Sequence, residues 1–555
     1  MAIQLDLGVR IPMRDGVTLC ADIYREQSGT RSPVLIMRTP YDRRRAETMV
    51  YAHPSWYARQ GFAVVVQDVR GRFGSEGSFE PLLHEAADGA DTVGWAVGQP
   101  WSNGRVGMYG FSYPGLLQMQ AATERPDGLM AIAPGLAPVG LERILRHGGE
   151  FALGHTIGWA LDLGVDLARR TRPDLTAAFL AAGSARAAHY ASRPLRGHDL
   201  LVGSGVTPFF SDWLDRMEQM GGADRTSVAG RWADIDIPAF HIGGWDDIFV
   251  DSTIEAFFGL RGGAASAEVR SSQQLMIGPW HHNPRTSTPP GNPRHIDDAQ
   301  LAFFRRWLFD DDAGFGDAVS VYRTGEERWL TPEDWPLATA EQQWYLHSGG
   351  RANGVSGDGQ LSLEDPEDEA PDVYVHDPTA PVPAIDSQAS GFPLIVPMGR
   401  VDQATVEVRP DVLVYTSVPL HCPTTVSGEV RAVLHAGTTA ATTDWVVTLC
   451  EVDVAGASRN LVRGIASVGS KDDTAAMGCS LHCLQVSLGF LEHCIPVGHR
   501  LRVQVASSCY PLWIPNPGIR GQLGAIGAEH AIIATQVVLH ERGSASYISI
   551  PIIAS

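Results

Sequence analysis

A serine between glycines at the end of an apolar run is the first place where chemistry could begin. Gly110-Phe111-Ser112-Tyr113-Pro114-Gly115 follows directly on Val106-Gly107-Met108-Tyr109. A serine hydroxyl is a poor nucleophile until a base removes its proton and a carboxylate orients that base. A sharp strand-to-helix turn exposes such a serine above a sheet and needs small residues around it. Gly110 stands two before Ser112, whereas Pro114 stands two after it and a glycine arrives one later, at Gly115. Pro114 suits the first turn of a helix, where its missing N–H has no intrahelical partner. A serine that merely caps a helix would use the same local chemistry, so the motif needs partners.

Two later segments offer them. Ile237–Gly243 reads as a strand leading into Trp245-Asp246-Asp247-Ile248-Phe249, and Leu275–Ile277 as one leading into Gly278-Pro279-Trp280-His281-His282. Each sets an acid or an imidazole just past an apolar strand, in the chain order serine, acid, histidine followed by α/β-hydrolases. At this point the acid is Asp246 or Asp247, and the base is one of the two histidines. Tyr41 follows the strand Pro33–Thr39 at the same edge. Its hydroxyl and the backbone N–H of Tyr113 are candidate donors to a developing oxyanion. The chemistry would be acyl transfer through an acyl-serine.

The elements that must hold these residues are legible in outline. Val9–Pro12 and Val17–Tyr24 read as strands around the turn Arg14-Asp15-Gly16. Pro33–Thr39, Phe62–Val69, Val106–Phe111 and Met130–Ala133 are apolar strands. Leu82–Val97, and a stretch from about Gly115, are helical. That alternation predicts a parallel sheet covered on both faces. From about Gly140 to Trp232 strand signals give way to Ala/Leu/Arg-rich helices such as Leu161–Arg170 and Leu175–Ala182, the position of a cap. Beyond about Trp344 short runs between turns predict an all-β sandwich or jelly roll: Thr405–Val408, Val412–Tyr415, Val426–Leu434, Trp445–Val452, Leu484–Leu488, Leu501–Ala506 and Ala531–Leu539. The acidic stretch Gly357–Asp372 is the most linker-like segment.

Bulk properties narrow the function. A chain of 555 residues calls for more than one core. Its formal net charge of −20 argues against nucleic acid or an anionic membrane surface as a partner. The first residues are charged and no window of 18 uncharged apolar residues occurs, so a cytoplasmic protein is expected. The 7 cysteines are an odd number and suggest no secreted disulfide framework.

Together these segments resemble the bacterial cocaine esterase family, related to X-Pro dipeptidyl-peptidases and to α-amino acid ester hydrolases and cephalosporin acylases. The motifs, in order, are Val9–Tyr24, Arg38-Thr39-Pro40-Tyr41-Asp42, Gln67–Arg72 with Ser75-Glu76-Gly77, Gly110–Gly115, Gly244-Trp245-Asp246-Asp247, Gly278–His282, and Pro496–Arg500 with Val505–Ser508. The resemblance makes Pro114 an ordinary occupant of the elbow, puts the acid on Asp247 and the base on His282, and treats Asp68 as structural. It implies an α/β-hydrolase domain over 1–140 and 236–343, a helical cap over 141–235 and a jelly-roll β-sandwich over 344–555. The implied site is Ser112, Asp247 and His282, with Tyr41 and Tyr113 as the oxyanion hole and no metal or cofactor. The implied partner is a small-molecule acyl substrate, and a homo-oligomer is left open.

Other signals are weaker. Cys479, His482, Cys483, His493 and Cys494 carry enough ligands for a tetrahedral zinc. Cys483, however, precedes the alternating Leu484, Val486 and Leu488, which favours a buried structural thiol. Trp159 and Trp213 in the helical insertion are candidates for a pocket wall, with core packing the commoner use. The expected activity is carboxylic-ester hydrolysis, with an amidase, acylase or X-Pro peptidase as the alternative. A carbohydrate-binding protein with a vestigial site is the competing class, and a complete Ser/Asp/His/Tyr set argues against it.

Overall fold

The computed structural model describes residues 2–27, 29–45, 51–218, 224–282, 296–312, 316–337, 339–386, 397–469, 480–521 and 523–553. Its first half is built on a ten-stranded sheet. The strands before the insertion are β1 (Ile3–Pro12), β2 (Thr18–Glu26), β3 (Ser32–Thr39), β4 (Ala63–Asp68), β5 (Ser102–Phe111) and β6 (Leu129–Gly135). A short hairpin, β7 (Arg146–His147) and β8 (Glu150–Phe151), stands apart from the sheet. β9 (Phe240–Asp246), β10 (Gln274–His281), β11 (Val319–Arg323) and β12 (Arg328–Leu330) complete it, in the order β1-β2-β4-β3-β5-β6-β9-β10-β11-β12. The strands from β4 to β11 in that order are parallel, and the outer strands at both ends pair antiparallel.

Alternation along the buried strands feeds two cores, because successive side chains point to opposite faces. Val34, Ile36 and Val65 pack on one face with helices α2 (Glu85–Val97) and α3 (Tyr113–Thr123). Leu35, Met37, Val64 and Val66 pack on the other with α1 (Pro54–Arg59) and Phe303, Phe304 and Leu308 of the helix Ile296–Phe309.

Between β6 and β9 the chain leaves the sheet and forms α4 (Leu141–Leu145), the β7–β8 hairpin, α5 (Leu153–Thr171), α6 (Thr176–Ser184), α7 (Arg186–Tyr190) and α8 (Phe209–Glu218). α5 buries Leu153, Ile157, Ala160, Leu161, Leu167 and Ala168, an apolar stripe of helical spacing. Gly164 lets the Phe179 ring of α6 pack closely, since a Cβ there would lie 2.2 Å from it.

Among the described residues the second half forms a sheet of eleven strands, whose first and last in the chain, Thr339–His347 and Tyr547–Ile553, pair side by side. Its core includes Trp344, Tyr415, Trp445, Leu449, Val503 and Ile548. The Gly154 N–H donates to the Pro511 carbonyl and Trp513 Nε1 donates to the His147 carbonyl, tying this half to the helical insertion.

Several sequence expectations need correction. Thr405–Val408 is not a strand. Ala404–Glu407 is a short helix whose start is held by Asp402, which accepts the Ala404 N–H, and that local bond overrides β-branched preference. Gly357–Asp372 is not a linker. Gln360–Ser362 pairs within the second sheet, and fully buried Asp372 accepts from Tyr415 and His540 at 2.7 Å each. The strand Thr339–His347 runs across the expected boundary at 343/344 and pairs with Tyr547–Ile553. β9 and β10 run further than apolar content suggests, to Asp246 and His281. Cys483 is exposed rather than buried, and Cys479 lies outside the described residues. Among the described residues no group of His, Cys, Asp and Glu is arranged to hold a metal ion, and no helix is long and apolar enough to cross a membrane.

Candidate active site

Ser112 is the N-cap of α3 and has φ +62° and ψ −126°, a conformation rarely adopted outside glycine. Its surroundings over-determine that geometry. The Ser112 N–H donates to the Gly135 carbonyl at 2.8 Å, and the Ser112 carbonyl accepts from Gly115 N–H at 2.9 Å. A Cβ on Gly110 would lie 2.6 Å from Pro114 Cβ, and one on Gly115 would lie 2.6 Å from Ala137 Cβ. The backbone therefore requires glycine two before and three after Ser112, while Pro114 sits comfortably in the first helical turn.

The acid and base arrive from neighbouring strands. Asp246 and His281 are register partners at the ends of β9 and β10. One residue further along each chain, His282 Nδ1 lies 2.5 Å from Asp247 Oδ1. His282 Nε2 lies 3.0 Å from Ser112 Oγ. Asp247 Oδ2 accepts the Phe249 N–H at 3.0 Å, which fixes the carboxylate in the turn. Asp247 is 1% exposed and His282 6%, so both work out of water. The imidazole is further confined by the rings of Phe249 and Phe111. A carboxylate that accepts from Nδ1 leaves Nε2 free to take a proton from the serine. Asp246 turns elsewhere and lies 3.7 Å from Arg400 of the second half.

Tyr41 lines the same cavity, half-buried, with its N–H donating to Thr39 Oγ1. The Tyr113 side chain points into the protein, where its hydroxyl donates to Glu85 at 2.9 Å and accepts the Leu82 N–H at 2.8 Å. The Tyr113 backbone N–H occupies the first helical position, which has no intrahelical acceptor.

Arg72 and His155 also shape the site, and sequence reasoning assigns neither a role there. Arg72 is 2% exposed, donates to the Pro40 carbonyl at 2.9 Å and to the Leu163 carbonyl at 2.8 Å, and so ties the Tyr41 loop to α5. Burial pushes its guanidinium down to about 10. His155 lies edge-on to Phe249, and Trp159 packs beside Tyr113. Trp159 lines the cavity, whereas Trp213 stacks behind it at 4.8 Å in the core. Arg72 stands in the Gln67–Arg72 motif and was visible as a motif member, but nothing local shows which carbonyls it reaches. The cavity beside Ser112 has a volume of about 630 Å³ and lies between the sheet edge and the helical insertion. The arrangement can attack an acyl carbon, shuttle one proton and hold an oxyanion.

Residues 15–284 match the family model described as X-Pro dipeptidyl-peptidase (S15 family). Residues 317–549 match the X-Pro dipeptidyl-peptidase C-terminal non-catalytic domain. The chain is 31% identical to the cocaine esterase of Rhodococcus sp. (strain MB1 Bresler), over 98% of each chain. Among solved structures, an α-amino acid ester hydrolase superposes with a TM-score of 0.79 at 23% identity, covering 99% of this chain and 97% of the other. An aminopeptidase from a marine sediment Thaumarchaeota archaeon superposes with a TM-score of 0.77 at 23% identity, covering 100% and 96%. These two likenesses show a shared fold.

Proposed function

The chain belongs to the cocaine esterase family, whose catalytic part matches the S15 peptidase model, and from that membership we propose an acyl-transfer mechanism in which Ser112 is the nucleophile. It is a serine hydrolase acting on esters. Ser112 Oγ attacks the ester carbonyl carbon while His282 Nε2 takes the hydroxyl proton, and Asp247 holds the imidazole in one tautomer and stabilises its charged form. The Tyr41 hydroxyl and the Tyr113 N–H donate to the oxyanion. Collapse of the tetrahedral intermediate breaks the C–O bond, and His282 returns its proton to the departing alkoxide. Water, deprotonated by the same His282, then attacks acyl-Ser112 and releases the acid.

The observation that carries this reading is the unbroken chain from Asp247 through His282 to Ser112, with contacts of 2.5 and 3.0 Å. The helical insertion acts as a cap that closes the acyl site, and the second sheet forms a jelly roll that braces it. Amide hydrolysis of the X-Pro kind needs a carboxylate left to hold a substrate ammonium. The two carboxylates of the cavity wall are occupied, Asp162 by Arg186 at 2.7 and 2.9 Å and Asp166 by the Phe73 N–H at 3.2 Å, so the ester reading is favoured. A panel of p-nitrophenyl esters and anilides, run beside fluorophosphonate labelling, tests it. Ester turnover with labelling of Ser112 is expected, while anilides cleaved faster than esters, or no labelling, would count against it.

A further inference from the structure

The cavity beside Ser112 has a charge pattern opposite to that of the chain. The chain carries a formal charge of −20, yet the cavity wall holds four arginines, at 45, 72, 169 and 186, against the two aspartates Asp162 and Asp166. Both aspartates are engaged. Asp162 accepts from Arg186, and Asp166 accepts the Phe73 N–H at 3.2 Å and lies 3.8 Å from Arg72. Arg45 and Arg169 are exposed and pair with no carboxylate among the described residues. Arg170, next to Arg169, donates to the carbonyls of Phe73 and Ser75 and likewise pairs with no carboxylate among the described residues.

The charges are also ordered along α5. His155, Trp159, Asp162, Asp166 and Arg169 follow one another at spacings of three and four, so they share one face of the helix. The reacting end is aromatic: Trp159 packs on Tyr113, and His155 reaches His282 through Phe249. From Trp159 to Arg169 the helix rises about 15 Å at about 1.5 Å per residue. The cavity is therefore aromatic beside the nucleophile, and Arg169 lies further along α5, beyond the occupied Asp162 and Asp166.

Resting on the esterase reading, we propose that this cavity selects esters bearing a carboxylate remote from the scissile bond, with Arg169 and Arg45 as the residues that recognise it. Arg169 and Arg45 attract the anion on approach and hold it, while Val165 and Leu180 of the cavity wall accommodate a hydrocarbon spacer beside Asp162 and Asp166, which Arg186 and the Phe73 N–H already occupy.

Two substrate series test this. One comprises p-nitrophenyl monoesters of dicarboxylic acids of increasing length; the other comprises acetate esters of ω-hydroxy acids. Each is compared with its terminal methyl ester or amide as the neutral reference. The readout is the ratio of kcat/KM for the charged substrate to that for its neutral reference, at low and high salt. In at least one series the ratio should reach about five to tenfold, shrink with added salt, fall toward one in Arg169→Gln with Arg45→Gln, and return with Arg169→Lys. Fluorophosphonate labelling of Ser112 in each variant reports an intact site. Neutral esters preferred in both series, or a ratio that the arginine substitutions leave untouched, would overturn the proposal while leaving the esterase reading standing. Absence of turnover on every ester together with an unlabelled Ser112 would overturn both.

Discussion

Asp246 lies opposite His281 across the paired strands β9 and β10, and this register decides which of two adjacent carboxylates meets which of two adjacent histidines. The next residue on each strand, Asp247 and His282, makes the 2.5 Å contact. Asp246 is left facing Arg400, itself held by His493 and Thr324.

Replacing each aspartate by asparagine separates their roles. Asp247→Asn can present its amide N–H to Nδ1 and favour the wrong tautomer, so kcat should fall by roughly 10³–10⁴. Asp246→Asn should cost less than about tenfold, as expected outside the catalytic set. Steady-state kinetics of both variants on one activated ester decides it. A crippled Asp246→Asn with a healthy Asp247→Asn would reassign the acid.

Tyr41→Phe keeps the ring against the cavity and removes one donor. A loss of about 10²–10³ in kcat with little change in KM is expected, on the scale of other oxyanion donors. A change confined to KM would make Tyr41 a pocket wall instead.

The reach of the sequence is uneven for physical reasons. Ser112 stands out because the elbow is local, and its glycine requirement is written within six residues. The choice between Asp246 and Asp247 rested on resemblance, because facing alternates residue by residue and depends on where a strand ends. Apolar content stops β9 at Gly243, but the strand continues through Trp245, whose Nε1 is anchored to the Tyr322 carbonyl at 2.6 Å. Arg72 reaching Leu163, Arg186 reaching Asp162 and Arg400 reaching Asp246 are long-range pairings with no periodic signal. The acidic stretch Gly357–Asp372 reads as linker-like because the partners of Asp372, Tyr415 and His540, are remote in sequence.

A buried carboxylate in the second half sets a pH dependence of stability. Asp444 accepts from Ser467 at 2.5 Å and from Asn516 at 2.8 Å, and burial, followed by the charge of Glu150 on β8, pushes it up to about 7. The folded state thus binds this proton more tightly than the unfolded chain. Its contribution to stability is full below the ordinary carboxylate range of about 4 and is lost as pH rises through about 7. Asp444→Asn should raise Tm at pH 8 and flatten the slope of Tm against pH between 5 and 8, measured by calorimetry. A slope unchanged by the substitution would remove Asp444 as its source.

The proposed acyl-Ser112 intermediate is tested by kcat of Ser112→Ala on an activated ester, with circular dichroism to confirm the fold. A loss of roughly 10⁴–10⁶ in kcat with the fold retained is expected. Near-normal turnover by a correctly folded Ser112→Ala protein would contradict it.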